Sequence, residues 1–138
     1  AEEKLQQQFP SYVGRRFESL IRDELLKKLN IITVQKTGRW WGHYRDEKTN
    51  TRKEVEIDIV ALNTNTKQIL FGECKWKKNV DGIQELRYLQ EKTQYFEWLR
   101  NHQNWQQHYL LIAKSFQKKS FEKNVYSVDL HEIQKILR

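Results

Sequence analysis

The sequence predicts an α/β domain with a mixed central sheet and helices on both faces. Apolar residues recur at helical spacing over residues 12–29, and Asp81 can cap a second helix further along the chain. Between these helices, two runs rich in β-branched residues flank the polar turn at residues 63–66, which is typical of a β-hairpin. A short apolar run at residues 109–113 is typical of a buried strand.

The first predicted helix runs from about Tyr12 to Leu29. Its apolar arc consists of Val13, Phe17, Leu20, Ile21, Leu25 and Leu29. Glu18 falls inside this arc, and a carboxylate on a core-facing stripe is costly unless something pairs with it. Residues 31–34, Ile-Ile-Thr-Val, follow the helix and predict the first strand of the sheet.

Two adjacent tryptophans lie in the next stretch, residues 37–45. Trp40 and Trp41 stand between two glycines and are flanked by Arg39 and Arg45, so they could stack on bases while the arginines bind phosphates. The alternative is that one tryptophan packs inward and the other covers the sheet edge. Residues 46–52 predict a polar loop.

The charges inside the predicted hairpin are its most informative feature. Centring the turn between residues 65 and 66 sets Asp58 opposite Glu73, and Glu56 opposite Lys75. Opposed residues of an antiparallel pair have Cβ atoms about 4.5–5.5 Å apart, so two carboxylates there repel each other. A divalent cation such as Mg²⁺ reverses that effect, because it prefers hard oxygen ligands. The expectation depends on the turn, since a slip of one residue moves one carboxylate to the other face.

The second half of the chain predicts a helix, a buried strand, a basic loop and a final strand and helix. The helix that begins at Asp81 is expected to reach about Asn101, and the buried strand at residues 109–113 comes next. Residues 114–123 form a predicted basic loop that contains Lys118 and Lys119. Residues 125–128 predict a last strand, after which Asp129 caps a terminal helix that reaches about Leu137.

Asp58, followed on the next strand by Glu73-Cys74-Lys75, resembles the PD-(D/E)xK nuclease motif, with Ile57 in place of the proline that names it. The strings EIDIVALN and ILFGECKWK resemble the domain of unknown function found C-terminal to archaeal ATPases, itself thought to have a PD-(D/E)xK fold. The resemblance implies a restriction endonuclease-like αβββαβ core. It also implies a metal-dependent endonuclease, a hydrolase that cleaves phosphodiester bonds, with DNA as the expected substrate.

The same resemblance implies a role for each residue of the motif. Asp58 and Glu73 would bind Mg²⁺, with Mn²⁺ as a substitute, and the backbone carbonyl of Cys74 would add a ligand. Glu18 on the first helix would complete the metal site directly or through water. Lys75 would orient the attacking water or stabilise developing negative charge. A plain salt bridge to the neighbouring acids is the alternative for this lysine.

A formal net charge of +7 favours an anionic partner, and nucleic acid is the expected one. Gln84 and Tyr88 lie four residues apart on one face of the predicted second helix and resemble the glutamine-tyrosine signature of RecB-like nucleases. The residues expected to contact nucleic acid are Arg39, Trp40, Lys77, Lys78, Gln84, Tyr88, Lys118 and Lys119.

Length and composition bound the remaining possibilities. The 138 residues predict a single domain, and the absence of methionine suggests a fragment of a longer protein. No apolar run reaches the ~20 residues that cross a bilayer, and the single cysteine is compatible with a reducing cytoplasm. A homodimer is possible, as is an ATPase domain in the same parent chain. The alternative function is a nucleic-acid-binding or ATPase-docking module with a weak or inactive nuclease site.

Overall fold

Five strands form the central sheet of the computed structural model, which describes Ser19 and residues 24–137. In chain order they are β1 Lys36–Asp46, β2 Thr51–Asn63, β3 Gln68–Lys75, β5 Gln106–Ala113 and β7 Val125–Asp129. They lie side by side in the order β1-β2-β3-β5-β7. The first three strands are antiparallel, whereas β3, β5 and β7 are parallel, so the sheet is mixed as predicted.

Four helices and a two-stranded sheet complete the described chain. The helices are α1 Leu26–Leu29, α2 Gly82–Thr93, α3 Glu97–Arg100 and α4 Leu130–Ile136. The small sheet pairs β4 Val80–Asp81 with β6 Phe116–Lys118 in parallel, and β6 lies inside the stretch predicted as a basic loop. None of the helices in the described part of the chain has the length and apolar character needed to cross a bilayer.

The core consists of two apolar clusters that share the sheet. One cluster joins Leu26 of α1 and Ile133 of α4 to strand residues such as Leu70. The other joins Leu86 and Leu89 of α2 to a second set of strand residues that includes Phe71. Adjacent residues on β3 thus enter different clusters, because side chains alternate along a strand. Helices therefore cover both faces of the sheet, as predicted.

Both predicted helix caps are confirmed. The Asp81 carboxylate accepts hydrogen bonds from the backbone N–H groups of Ile83 and Gln84. The Asp129 carboxylate accepts one from Glu132, whose own side chain accepts from the backbone of Asp129 to complete a capping box. These caps satisfy backbone donors that have no partner inside the helix.

The first predicted strand is wrong in position. Residues 31–34 are not a strand. Ile32 is buried, and Ile31 and Val34 pack against the α1 and α4 cluster, so their apolar character reflects burial rather than pairing. The strand begins at Lys36 instead and runs through both tryptophans, because β2 extends back to Thr51 and offers it a full-length partner. The predicted polar loop shrinks accordingly to a turn at residues 47–50.

The second predicted helix is too long. Helix α2 ends at Thr93, and the short helix α3 begins only at Glu97. In between, Phe96 turns inward and packs edge-on against Trp40 and Phe71, with ring centroids 5.3 and 5.6 Å apart. Burying this aromatic side chain against the sheet requires the helix to break, which local helix propensity does not signal.

Candidate active site

The predicted hairpin register is confirmed. β2 and β3 pair from Asn63–Gln68 to Ile59–Gly72 around a four-residue turn. The Asn63 side chain accepts backbone hydrogen bonds from two turn residues, at 2.9 and 3.1 Å, and so holds the turn in one register. Continuing that register by one position sets Asp58 opposite Glu73.

A β-bulge lies at the same point of the sheet. Gly38 of β1 pairs with Val60, but Trp40 pairs with Ile57, so β2 contributes one more residue than β1 in this interval. Ile57 accordingly belongs to the α2 cluster and Ile59 to the α1 and α4 cluster, although regular alternation would place both on one face. Bulges commonly re-aim a side chain or end strand pairing next to a functional site. Asp58 stands between these two isoleucines, inside the bulge.

The Asp58 and Glu73 side chains are in hydrogen-bonding contact. Asp58 Oδ2 also accepts a hydrogen bond of 2.9 Å from the backbone N–H of Cys74. Only 14% of the Glu73 side chain is exposed. Burial raises the pKa of Glu73 to about 8, with further contributions from the hydrogen bond and the charge of Asp58 and an opposing contribution from Lys92. Two carboxylates thus share a site in which the second negative charge is strongly disfavoured.

Lys92 of α2 forms an ion pair with Glu73 Oε1, a contact that the sequence pattern did not predict. A signal for it was available, since Lys92 follows Tyr88 by four residues and therefore shares its helical face. Lys75, the lysine of the motif, is exposed at the end of β3, and no ion pair between described residues includes it.

A cleft of about 500 Å³ opens between the β1–β2 hairpin and α2, next to the carboxylate pair. Lys92 connects the two, because it contacts Glu73 and also lines the cleft. The charged residues of the lining are Glu54, Glu56, Lys75, Glu85, Glu91 and Lys92. Tyr88, which is 46% exposed, also lines it and accepts a 2.7 Å hydrogen bond from the Gln84 side chain, so the predicted Gln84–Tyr88 pair does share one helical face.

Glu56 and Arg39 form an ion pair with each other, at 3.0 Å. Glu56 was expected to face Lys75, but the described β2–β3 pairing ends before it, and Glu56 instead lies across from Trp41 on β1. Because Arg39 is engaged with a carboxylate, its guanidinium is less accessible to a phosphate than predicted. The regular pairing of β2 with β3 ends at Ile59–Gly72, next to the bulge between β1 and β2, and so stops short of Glu56.

Trp40 and Trp41 lie on opposite faces of β1, and one of them packs inward, as the packing alternative predicted. Trp40 points inward and packs against Phe96, so its ring is not presented to a base. Trp41 is 66% exposed on the opposite face of β1. Sequence alone could not choose between them, because either tryptophan satisfies the alternation of a strand.

The four predicted phosphate-binding lysines gather beyond the carboxyl ends of the parallel strands. The backbone carbonyl of Lys77 accepts hydrogen bonds from residues 114 and 115, and β4 pairs with β6, which carries Lys118. Lys77, Lys78 and Lys118 are exposed. Lys119 forms an ion pair of 3.2 Å with Glu132.

The other two predicted metal ligands are Glu18 and Cys74. Glu18 lies outside the described residues. Cys74 is partly buried, and its side chain packs against the α1 and α4 cluster, so only its backbone could face a metal. Within the described residues, no group of three or more His, Cys, Asp and Glu side chains is arranged to hold a metal ion.

Comparison with known proteins gives one family and one relative. A family described as archaeal and bacterial proteins of unknown function (DUF234) matches residues 1–93. An uncharacterized protein of Methanocaldococcus jannaschii is 32% identical over 123 residues, which cover 85% of this chain and 25% of the relative. The chain thus spans about a quarter of the length of this relative. No solved structure matches.

Proposed function

Because the chain belongs to this family of archaeal and bacterial proteins of unknown function, we propose its function from the site itself: a metal-dependent nuclease that hydrolyses phosphodiester bonds in DNA. The observation that carries the proposal is the contact between Asp58 and Glu73 at the bulge. Like charges in a largely buried position destabilise the fold unless a proton or a cation lies between them. Because such a pair does not stabilise the fold by itself, a role in binding a cation explains its presence better than a structural role does.

The order of elements also supports a restriction endonuclease-like core. Three antiparallel strands precede α2, and two further strands then extend the sheet in parallel to β3. With the helix predicted for residues 12–29, this order corresponds to the αβββαβ arrangement of the PD-(D/E)xK nucleases. In such a core, Asp58 and Glu73 would occupy the motif positions on the second and third strands.

The residues present fit a magnesium ion. Mg²⁺ is usually held by one or two carboxylates and keeps several waters, so Asp58 and Glu73 are sufficient protein side chains. The backbone carbonyl of Cys74 would add a third oxygen, and Glu18 a fourth. Bound Mg²⁺ would neutralise charge on the phosphate and lower the pKa of a coordinated water. Mn²⁺ has similar ligand preferences and would substitute for it.

The chain's own groups would supply the rest of the chemistry. The Cys74 N–H holds the Asp58 carboxylate in place, which fixes one ligand before any metal binds. Lys75, at the exposed end of β3, can approach a phosphate oxygen and stabilise negative charge that develops there. Lys77, Lys78 and Lys118 would bind flanking phosphates along the same edge of the molecule.

The proposal is tested by incubating the protein with plasmid and branched DNA in the presence of Mg²⁺ or Mn²⁺. We expect cleavage that EDTA abolishes and that falls about 100-fold or more in Asp58→Asn and Glu73→Gln, because each change removes a charged ligand. Glu91→Gln removes an exposed cleft carboxylate and should retain activity. Wild-type protein that cleaves neither substrate with either metal would contradict the proposal and favour a binding or docking module.

A further inference from the structure

In the metal-free protein, the ammonium of Lys92 is the positive charge that contacts the carboxylate pair. Its ammonium contacts Glu73 Oε1, and 35% of its side chain is exposed toward the cleft. It reaches the site from α2, an element separate from the strands that carry the two acids. Glu73, in contrast, is fixed on a central strand with neighbours on both sides.

The ammonium and a metal ion would need the same oxygen. A divalent cation held by Asp58 and Glu73 would bind the Glu73 carboxylate that Lys92 now contacts. The metal ion and the Lys92 ammonium would then lie side by side on one carboxylate and repel each other. A lysine can resolve this conflict, because its four-carbon stem is flexible and its charge is a compact point. Lys92 already lines the cleft, so a rotation of its side chain would carry the ammonium away from Glu73.

We propose that Lys92 is a tethered cation that holds Glu73 in the metal-free protein and moves into the cleft when a divalent metal binds. There, its ammonium would meet a phosphate of the bound nucleic acid. Metal binding and nucleic-acid binding are coupled through this one side chain. The inference rests on the proposed metal-dependent function, and it makes Lys92 a positioning residue rather than a ligand.

Lys75 does not fit this role. It also lines the cleft, but no ion pair between described residues includes it, and it follows Glu73 on the same strand. A substitution at Lys75 removes the same charge from the same cleft without removing the contact with Glu73. It is therefore the matched control for any effect of charge alone.

The test measures Mg²⁺ and Ca²⁺ affinity by titration calorimetry in wild type, Lys92→Met, Lys92→Arg and Lys75→Met. We expect Lys92→Met to bind the metals at least tenfold more tightly than wild type, because the competing cation is gone. Lys92→Arg should stay within about threefold of wild type, since it restores the charge, and Lys75→Met should show a smaller gain than Lys92→Met. Equal gains in Lys92→Met and Lys75→Met, or unchanged or weaker binding in Lys92→Met, would overturn the inference.

A second measurement addresses the movement into the cleft. Binding of a fluorescent duplex DNA is compared with and without Ca²⁺, and Ca²⁺ should strengthen binding severalfold more in wild type than in Lys92→Met. Equal strengthening in both proteins would overturn the coupling.

The two proposals fail in different ways. Wild-type protein that binds metal, with no tighter binding in Lys92→Met, removes only the role of Lys92. If neither protein binds any divalent metal, the inference and the metal-dependent function both fail.

Discussion

At the scale of single residues, the environment of Glu73 departs most from that of an ordinary surface acid. It lies on a central strand, touches another carboxylate and keeps little exposure to water. These conditions favour the neutral form, and the single ammonium of Lys92 only partly offsets them. The side chain therefore stabilises the metal-free fold when it is protonated and destabilises it when it is ionised.

The first residue-scale prediction concerns pH. The pKa of Glu73 is raised from 4.5 to about 8 in the folded protein, so the folded state holds this proton more tightly than the unfolded state does. The resulting stability is present below about pH 4.5 and is lost as the pH rises toward 8 and above. Glu73→Gln keeps a hydrogen-bond donor for Asp58 but cannot ionise. We expect it to match wild type near pH 4.5 and to be more stable at pH 9, by on the order of 3–5 kcal/mol.

Chemical denaturation of both proteins without metal, from pH 4.5 to 9, measures this difference. Glu91→Gln, an exposed acid on α2, is the control and should follow wild type across the range. A stability difference between wild type and Glu73→Gln that does not change with pH would contradict the prediction.

The residue scale also shows what the sequence could predict about the site. The contact between Asp58 and Glu73 was predictable, because a tight turn and a period of two fix which residues oppose each other. The sequence places Lys92 on the same helical face as Tyr88, but its contact with Glu73 was not assigned, because the packing of a helix on a sheet depends on tertiary structure. The ion pair of Glu56 with Arg39 was missed because it depends on the bulge.

At the scale of elements, the β1–β2 hairpin decides how the site is formed. β2 has thirteen residues, but β3 pairs with only the last five of them in register. The rest of β2 pairs only with β1 and forms a two-stranded ribbon that borders the cleft. The bulge marks the point at which the sheet narrows to this ribbon, and the carboxylate pair lies at that point. The sequence indicated the strands but not the bulge, since no glycine or proline marks it in β2.

A pair of substitutions tests the orientation of this ribbon. Trp40→Ala removes a ring that packs on Phe96 in the α2 cluster, and we expect a loss of about 2–4 kcal/mol in the free energy of unfolding. Trp41→Ala removes a ring that is 66% exposed and should cost less than about 1 kcal/mol. Urea denaturation of both variants gives the two values. Equal losses, or a larger loss at Trp41, would contradict this orientation of the ribbon.

At the scale of the whole molecule, charge is distributed unevenly around the carboxylate pair. Four glutamates line the cleft on one side. Beyond the carboxyl ends of the parallel strands, Lys77, Lys78 and Lys118 are exposed, and the small sheet of β4 and β6 holds them together. The net charge of +7 predicted an anionic partner, but composition could not indicate which surface would bind it. The structure favours the lysine edge for the phosphates that flank the site, because its exposed lysines are not among the glutamates that line the cleft.

This distribution predicts how DNA binding responds to salt. Each lysine that neutralises a phosphate releases condensed counterions, so the affinity should fall steeply as salt rises. Lys77→Gln, Lys78→Gln and Lys118→Gln should each weaken binding and reduce the slope of log affinity against log salt by about one. Lys119→Gln should reduce it less, because that ammonium is already paired with Glu132. Lys27→Gln changes an exposed lysine of α1 and should leave the slope unchanged.

Fluorescence anisotropy of a labelled duplex between 50 and about 300 mM salt measures these slopes. Binding that does not depend on salt, or slopes that are equally affected by Lys27→Gln, would mean that the lysine edge does not contact DNA and would favour a protein partner for this domain.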